Sequence, residues 1–108
     1  MNKLIKKVEW WSRDRELHKS NSDKQLLKLV EEVGEVAEAY NKGYTDELKI
    51  ELGDVLVTLI IFAQQQGFDL HECLELAYDK IANRKGVLVD GIYIKQEDLI
   101  AQEVSNEK

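Results

Sequence analysis

None of the 108 residues is proline. The residue that removes a backbone donor and clashes with the preceding helical turn is absent, so nothing in the chain forbids long, unbroken helices. The apolar residues repeat at helical spacing through most of the length. Together these features predict an all-α fold, a helical hairpin elaborated into a four-helix bundle, within one domain covering residues 1–108.

Local signals divide the chain. A first helix is expected over about residues 3–16, with Asn2 as its cap and Leu4, Ile5, Val8 and Trp11 as its apolar positions. A loop over residues 17–21 follows. Ser22 and Gln25 have the spacing of a capping box, which starts a second helix running to Lys42. Gly43 suits the left-handed position after its end. Thr45 is placed to cap a third helix, with Asp46 and Glu47 at its positive pole, ending before Gly67. Asp69 and Glu72 repeat the capping pattern for a fourth, ending near Arg84. Val87-Leu88-Val89, Asp90-Gly91 and Ile92-Tyr93-Ile94 then form a short C-terminal β-hairpin signal with a type I′ turn. A last helical segment is expected over about residues 96–103, with fraying after Ser105.

The third helix poses a packing problem. Residues 55–63, VLVTLIIFA, are apolar on nearly every side, and such a helix must be covered all round. Three other helices from so short a chain do not suffice, so a homo-oligomer, dimer or tetramer, is expected. The single cysteine, Cys73, excludes a disulfide framework within the chain and a multi-cysteine zinc site, and fits a reducing compartment. The N-terminal stretch is charged and lacks the apolar run of a secretory signal. No stretch is long enough to span a bilayer. We expect a cytoplasmic protein with no membrane partner. The formal charge of −6 argues against nucleic-acid binding, which needs a basic footprint. For any phosphate substrate, such a charge calls for an intervening cation.

Two acidic clusters provide for one. The second helix carries Glu31-Glu32-Val33-Gly34-Glu35, with Glu38 one turn on, and the third carries Glu51-Leu52-Gly53-Asp54. Side chains three or four apart share a helical face, which pairs Glu32 with Glu35 and Glu51 with Asp54. A short connection around Gly43 makes the two helices antiparallel neighbours. Both pairs lie about the same distance from that turn, so the four carboxylates should meet at one level. Four converging carboxylates repel. A hard divalent cation with oxygen ligands, Mg2+ or Mn2+, would relieve that repulsion. An ordinary solvated acidic face is the competing reading, but it fits poorly against the most apolar stretch of the chain. Each cluster also contains a glycine, which costs roughly 1 kcal/mol inside a helix relative to alanine. Either close backbone approach or room for a ligand would account for that cost.

The pattern of Glu31, Glu32 and Glu35 followed by Glu51 and Asp54 resembles the EExxE…ExxD motif of the MazG-like, all-α nucleoside triphosphate pyrophosphohydrolases. Dimeric dUTPases, dCTP pyrophosphatases and phosphoribosyl-ATP pyrophosphatases belong to the same superfamily. Trp11-Ser12, the Gln25–Leu29 entry, Asn83-Arg84 and Val89-Asp90-Gly91 extend the likeness to small MazG-like proteins, over roughly residues 4–98. The resemblance implies Mg2+ ligands at Glu32, Glu35, Glu51 and Asp54, and a catalytic role at Glu31 or Glu38 in orienting or deprotonating water. It further implies substrate contacts from Lys80, Asn83 and Arg84 to phosphate and from Trp11 to a base. The expected reaction is hydrolysis of a (deoxy)nucleoside triphosphate to monophosphate and pyrophosphate. A non-catalytic helical oligomer that senses nucleotides or metal ions is the alternative. For Trp11, packing in the core competes with base stacking, and for Lys80 and Arg84, so does a simple interaction with the helix dipole.

Overall fold

The computed structural model describes residues 2–98. Helix α1 covers Asn2–Asp14 and is followed by a single 3-10 turn, Leu17–Lys19. Helices α2, Ser22–Lys42, and α3, Thr45–Gln65, are the long elements, and α4 covers Leu70–Ile81. Strands β1, Gly86–Val89, and β2, Ile92–Lys95, pair antiparallel. The all-α expectation with a terminal hairpin is met. The chain divides into two compact units, one reaching Cys73 and one starting at Leu74. Residues 96–98 are helical. The rest of the helical segment expected there, and the fraying expected after Ser105, lie outside the described residues.

Within the first unit, α2 and α3 form an antiparallel hairpin with α1 packed on α3. The turn depends on Gly43, whose φ of +72° places it in the left-handed region, where its N–H bonds back to the end of α2. Ile5, Ala39, Ile60, Ile61 and Ala63 form the apolar core. Thr58 joins them because its hydroxyl is spent on the Asp54 carbonyl at 2.8 Å, while Gln25 donates to the Thr58 carbonyl at 3.1 Å. Gln64 and Gln65 at the end of α3, and Gln66 just past it, tie the helix to the preceding chain. Gln64 donates to the Glu9 carbonyl, Gln65 to the Leu17 carbonyl and Ser20 hydroxyl, and Gln66 to Ser22.

Several local expectations are corrected. The buried face of α1 contains Ile5 and Ser12, whereas Leu4 and Trp11 are exposed. Ser12 has no bulk to hold the helix away from its neighbours. Asn2 lies inside α1. The cap of α2 is Asn21, whose side chain accepts from the Lys24 N–H at 3.0 Å, so Ser22 enters the helix and bonds Gln66 instead. Thr45 is likewise helical, and Tyr44 precedes α3 without a side-chain cap. Asp69 does accept from the His71 N–H at 2.9 Å, as a capping residue would. Helix α4 stops at Ile81, one turn early.

In the second unit, Asp90 and Gly91 both adopt positive φ, the requirement of a type I′ turn. Gly86 has a separate reason to be glycine, since a β-carbon there would run into the Ile94 carbonyl and the Tyr93 ring.

Because the core is small, each of its members carries weight. Ile60→Ala is expected to lower stability by about 2–5 kcal/mol, read as a shifted denaturation midpoint. A loss under about 1 kcal/mol would mean that α3 is not packed as described.

Candidate metal centre

The acids come together because α2 and α3 run antiparallel from the Gly43 turn and carry them at matching distances from it. Glu32, Glu35 and Glu51 each offer one carboxylate oxygen, and the three oxygens lie within 4.8 Å of one another. Asp54 is close enough for its charge to act on both Glu32 and Glu51. The four positions expected from the sequence therefore share one neighbourhood.

Their electrostatics are those of an overcrowded acidic site. Glu51 is pushed up to about 7, first by hydrogen bonding to Glu35, then by loss of solvent and by the charges of Glu35, Asp54 and Glu32. Glu32 is also raised, chiefly by burial and by the charges of Glu35 and Asp54, with Lys28 opposing. One oxygen of Glu32 and one of Glu51, both Oε2, are shielded from solvent without a hydrogen-bond partner. A shielded carboxylate oxygen without a donor is costly. A proton shared with a neighbouring carboxylate, or a cation, would relieve it. The donor set is all oxygen and all anionic, so it fits a hard divalent ion such as Mg2+ or Mn2+.

Within this chain the glycines beside the acids make no close helix contact. A β-carbon at Gly34 or Gly53 would meet nothing within 4 Å. In a single copy, the space beside the carboxylates at both glycines is open.

The remaining residues named from the sequence are more scattered. Glu31 is exposed on α2. Glu38 accepts from Lys42 Nζ at 2.6 Å, and that hydrogen bond and charge lower its pKa. Trp11 has the Arg15 guanidinium 4.4 Å from its ring centroid, and Arg15 also donates to the Trp11 carbonyl, so one face of the ring is engaged. In the second unit, Lys80 is exposed, and Asn83 and Arg84 line a cavity of about 230 Å³ with Lys85, Gln96 and Glu97. The sequence reading overlooked Lys42 and Tyr44. Together with Glu35, Glu38, Glu47 and Glu51 they line a cavity of about 380 Å³ beside the acids. Lys42 stands four residues after Glu38, and that ion-pair spacing was the available signal.

Residues 20–89 match the MazG nucleotide pyrophosphohydrolase domain. The chain belongs to that family. An uncharacterized 18.2 kDa protein from the rep-hol intergenic region of Haemophilus phage HP1 is 39% identical over 70 residues, which cover 64% of this chain and 43% of that protein. The nucleoside triphosphate pyrophosphohydrolase of Mycobacterium tuberculosis is 31% identical over 80 residues, covering 68% of this chain and 25% of its own length. The chain thus spans less than half the length of either relative. No solved structure matches it significantly. The motif acids of this MazG domain all fall inside the matched segment, while Trp11 precedes it. Among the described residues no helix is long and apolar enough to cross a membrane.

The raised acids make stability depend on pH. A carboxyl group whose folded pKa exceeds its unfolded value favours folding when protonated, so its contribution is full below about 4.5 and is lost as pH rises toward about 7. In chelator, the melting temperature should fall across that window. Excess Mg2+ should restore it at the alkaline end and do little at the acid end, where protons hold the site. Thermal unfolding with and without Mg2+ checks this, and a Mg2+ effect equal at both ends would contradict it. Glu51→Gln should raise the melting temperature of the chelated protein at the alkaline end and blunt its response to Mg2+.

Proposed function

We infer that this MazG domain hydrolyses a (deoxy)nucleoside triphosphate to the monophosphate and pyrophosphate, with Mg2+ or Mn2+ as cofactor. The observation that carries the reading is the convergence of Glu32, Glu35 and Glu51, two of them with a shielded, partnerless oxygen, in the motif of a nucleotide pyrophosphohydrolase domain. The M. tuberculosis relative bears the corresponding activity in its name.

Glu32, Glu35, Glu51 and Asp54 would hold the divalent cation. When bound, it would neutralise phosphate charge and allow a polyanion to approach an acidic protein. Water attacks the α-phosphorus, the bond from that phosphorus to the bridging oxygen breaks, and pyrophosphate leaves with the electron pair. The water's proton passes to a carboxylate. Glu31 suits that role better than Glu38, since Glu38 is engaged by the Lys42 ammonium, which lowers its pKa and competes for its lone pairs. Lys42 lines the cavity shared with Glu35 and Glu51, and substrate phosphate there would compete with Glu38 for its ammonium. Lys80, Asn83 and Arg84 are proposed as further phosphate contacts, and Trp11 would offer its remaining ring face to a base.

The domain would work as a homo-oligomer, a dimer or tetramer. Leu26, Leu27, Val30 and Val33 on α2 and Ile50, Leu52 and Leu56 on α3 are exposed in a single copy, an apolar extent that soluble monomers rarely show.

Product analysis over a panel of nucleoside triphosphates with excess Mg2+ tests the assignment. Pyrophosphate and monophosphate are expected in equal amounts, with activity reduced roughly 100-fold or more in Glu35→Gln and Asp54→Asn. Release of orthophosphate would move the cleavage point. No turnover by a folded protein that Mg2+ stabilises would replace the enzyme with a nucleotide or metal sensor.

A further inference from the structure

A second cleft lies at the opposite end of α3 from the acids. Its cavity is about 350 Å³, near the lower limit for a small-molecule site. Asp54 and the cleft's Gln64 are ten residues apart on one helix, a rise of about 15 Å. The two sites therefore do not share side chains.

Helix α1 supplies one wall. Lys6, Trp10 and Arg13 are spaced four and three residues apart, which stacks them on a single face. A tryptophan thus stands with a cation one turn before it and another one turn after. Trp10 is 66% exposed, and across the cleft Phe68, just past α3, is 60% exposed. Neither Lys6 nor Arg13 forms an ion pair among the described residues. The wall also contains polar atoms without partners. Gln64 spends its amide N–H on the Glu9 carbonyl, leaving its own oxygen shielded and unbonded, and His18 Nδ1 is in the same condition.

Two exposed rings favour a planar ligand that stacks on them. The flanking cations favour an anionic group on that ligand. The charge balance limits how large that group is. Glu9 and Asp69 also line the cleft, so two basic side chains stand against two acidic ones. A triphosphate, with about four negative charges, would need a metal ion to enter. A single phosphate, with at most about two, would not.

We propose that this cleft binds a nucleoside monophosphate, its base against Trp10 and Phe68 and its phosphate between Lys6 and Arg13. The site stands whether or not the carboxylates at the other end catalyse hydrolysis. If they do, it would take the class of molecule that they release, and a product bound some 15 Å from the reaction would be held outside the catalytic cleft.

Calorimetric titration of the full chain in chelator separates the two sites, since without a divalent cation the crowded carboxylates repel phosphate. Titration with 5′-AMP and 5′-dTMP should give saturable binding at one molecule per chain. Inorganic phosphate, the control without a ring, should bind at least about tenfold more weakly. Arg13→Gln and Trp10→Leu, both at exposed positions, should each weaken nucleotide binding about tenfold or more with the helical circular dichroism intact. Glu35→Gln should leave it unchanged. Absence of saturable binding overturns the proposal. So does equal binding of inorganic phosphate, indifference to both cleft substitutions, or a loss in Glu35→Gln, which would place the ligand at the acids. Turnover with Mg2+ is measured separately, so failure here leaves the hydrolase assignment intact.

Discussion

The repulsion among Glu32, Glu35, Glu51 and Asp54 is the constraint to which the first unit answers. Like charges at this spacing drive neighbouring helices apart unless protons or a cation intervene. The α2–α3 hairpin holds them together by other means. The Gly43 turn sets the register, and Ile60, Ile61 and Ala63 supply apolar burial farther along α3. Gln25 adds a bond from α2 to the Thr58 carbonyl, one turn beyond Asp54. The acids thus sit where packing opposes their separation. That leaves proton sharing or cation binding as the ways to relieve them. Hydrogen bonding to Glu35 and loss of solvent raise Glu51, loss of solvent raises Glu32, and the neighbouring charges add to both.

This arrangement was legible in the sequence because it rests on periodicity. Acids three apart on each helix and equidistant from one glycine turn require only helical geometry and an antiparallel hairpin to meet. The type I′ turn at Asp90-Gly91 was equally local. Rotation about the helix axis was harder to read. Leu4, Ile5, Val8 and Trp11 share the apolar spacing of α1, with Trp11 open to core packing or base stacking, yet the buried positions of the helix are Ile5 and Ser12. Caps were ambiguous for a similar reason. Asn21 and Ser22 are adjacent and both can cap, and the long-range bond from Gln66 to Ser22 accompanies Asn21 as the cap. The glycines next to the acids showed that something was needed there, but open space and close contact leave the same mark in a sequence.

The aromatic residues of α1 illustrate the remaining gap. Trp10 and Trp11 are neighbours, and family likeness drew attention to Trp11. The structure gives one face of Trp11 to Arg15 and sets Trp10 in a cleft opposite Phe68. Phe68 is fifty-eight residues away in the chain, so no spacing rule links it to Trp10. The Lys6–Trp10–Arg13 stripe was present as a helical repeat all along. Its opposite wall comes only from the fold.

Helix α3 therefore has three successive roles along its length. Its first turns carry acids, its middle is apolar, and its last turn carries glutamines that bond to α1, the 3-10 turn and α2. The apolar middle keeps the polar ends apart. A charge change at the acid end must act on the glutamine end through some 15 Å of packed helix rather than by direct contact. At the far end, the Gln64 bond to the Glu9 carbonyl ties α3 to α1 within the second cleft. The acids and the glutamines of one helix are thus held in place by different neighbours, with no side chain common to both ends.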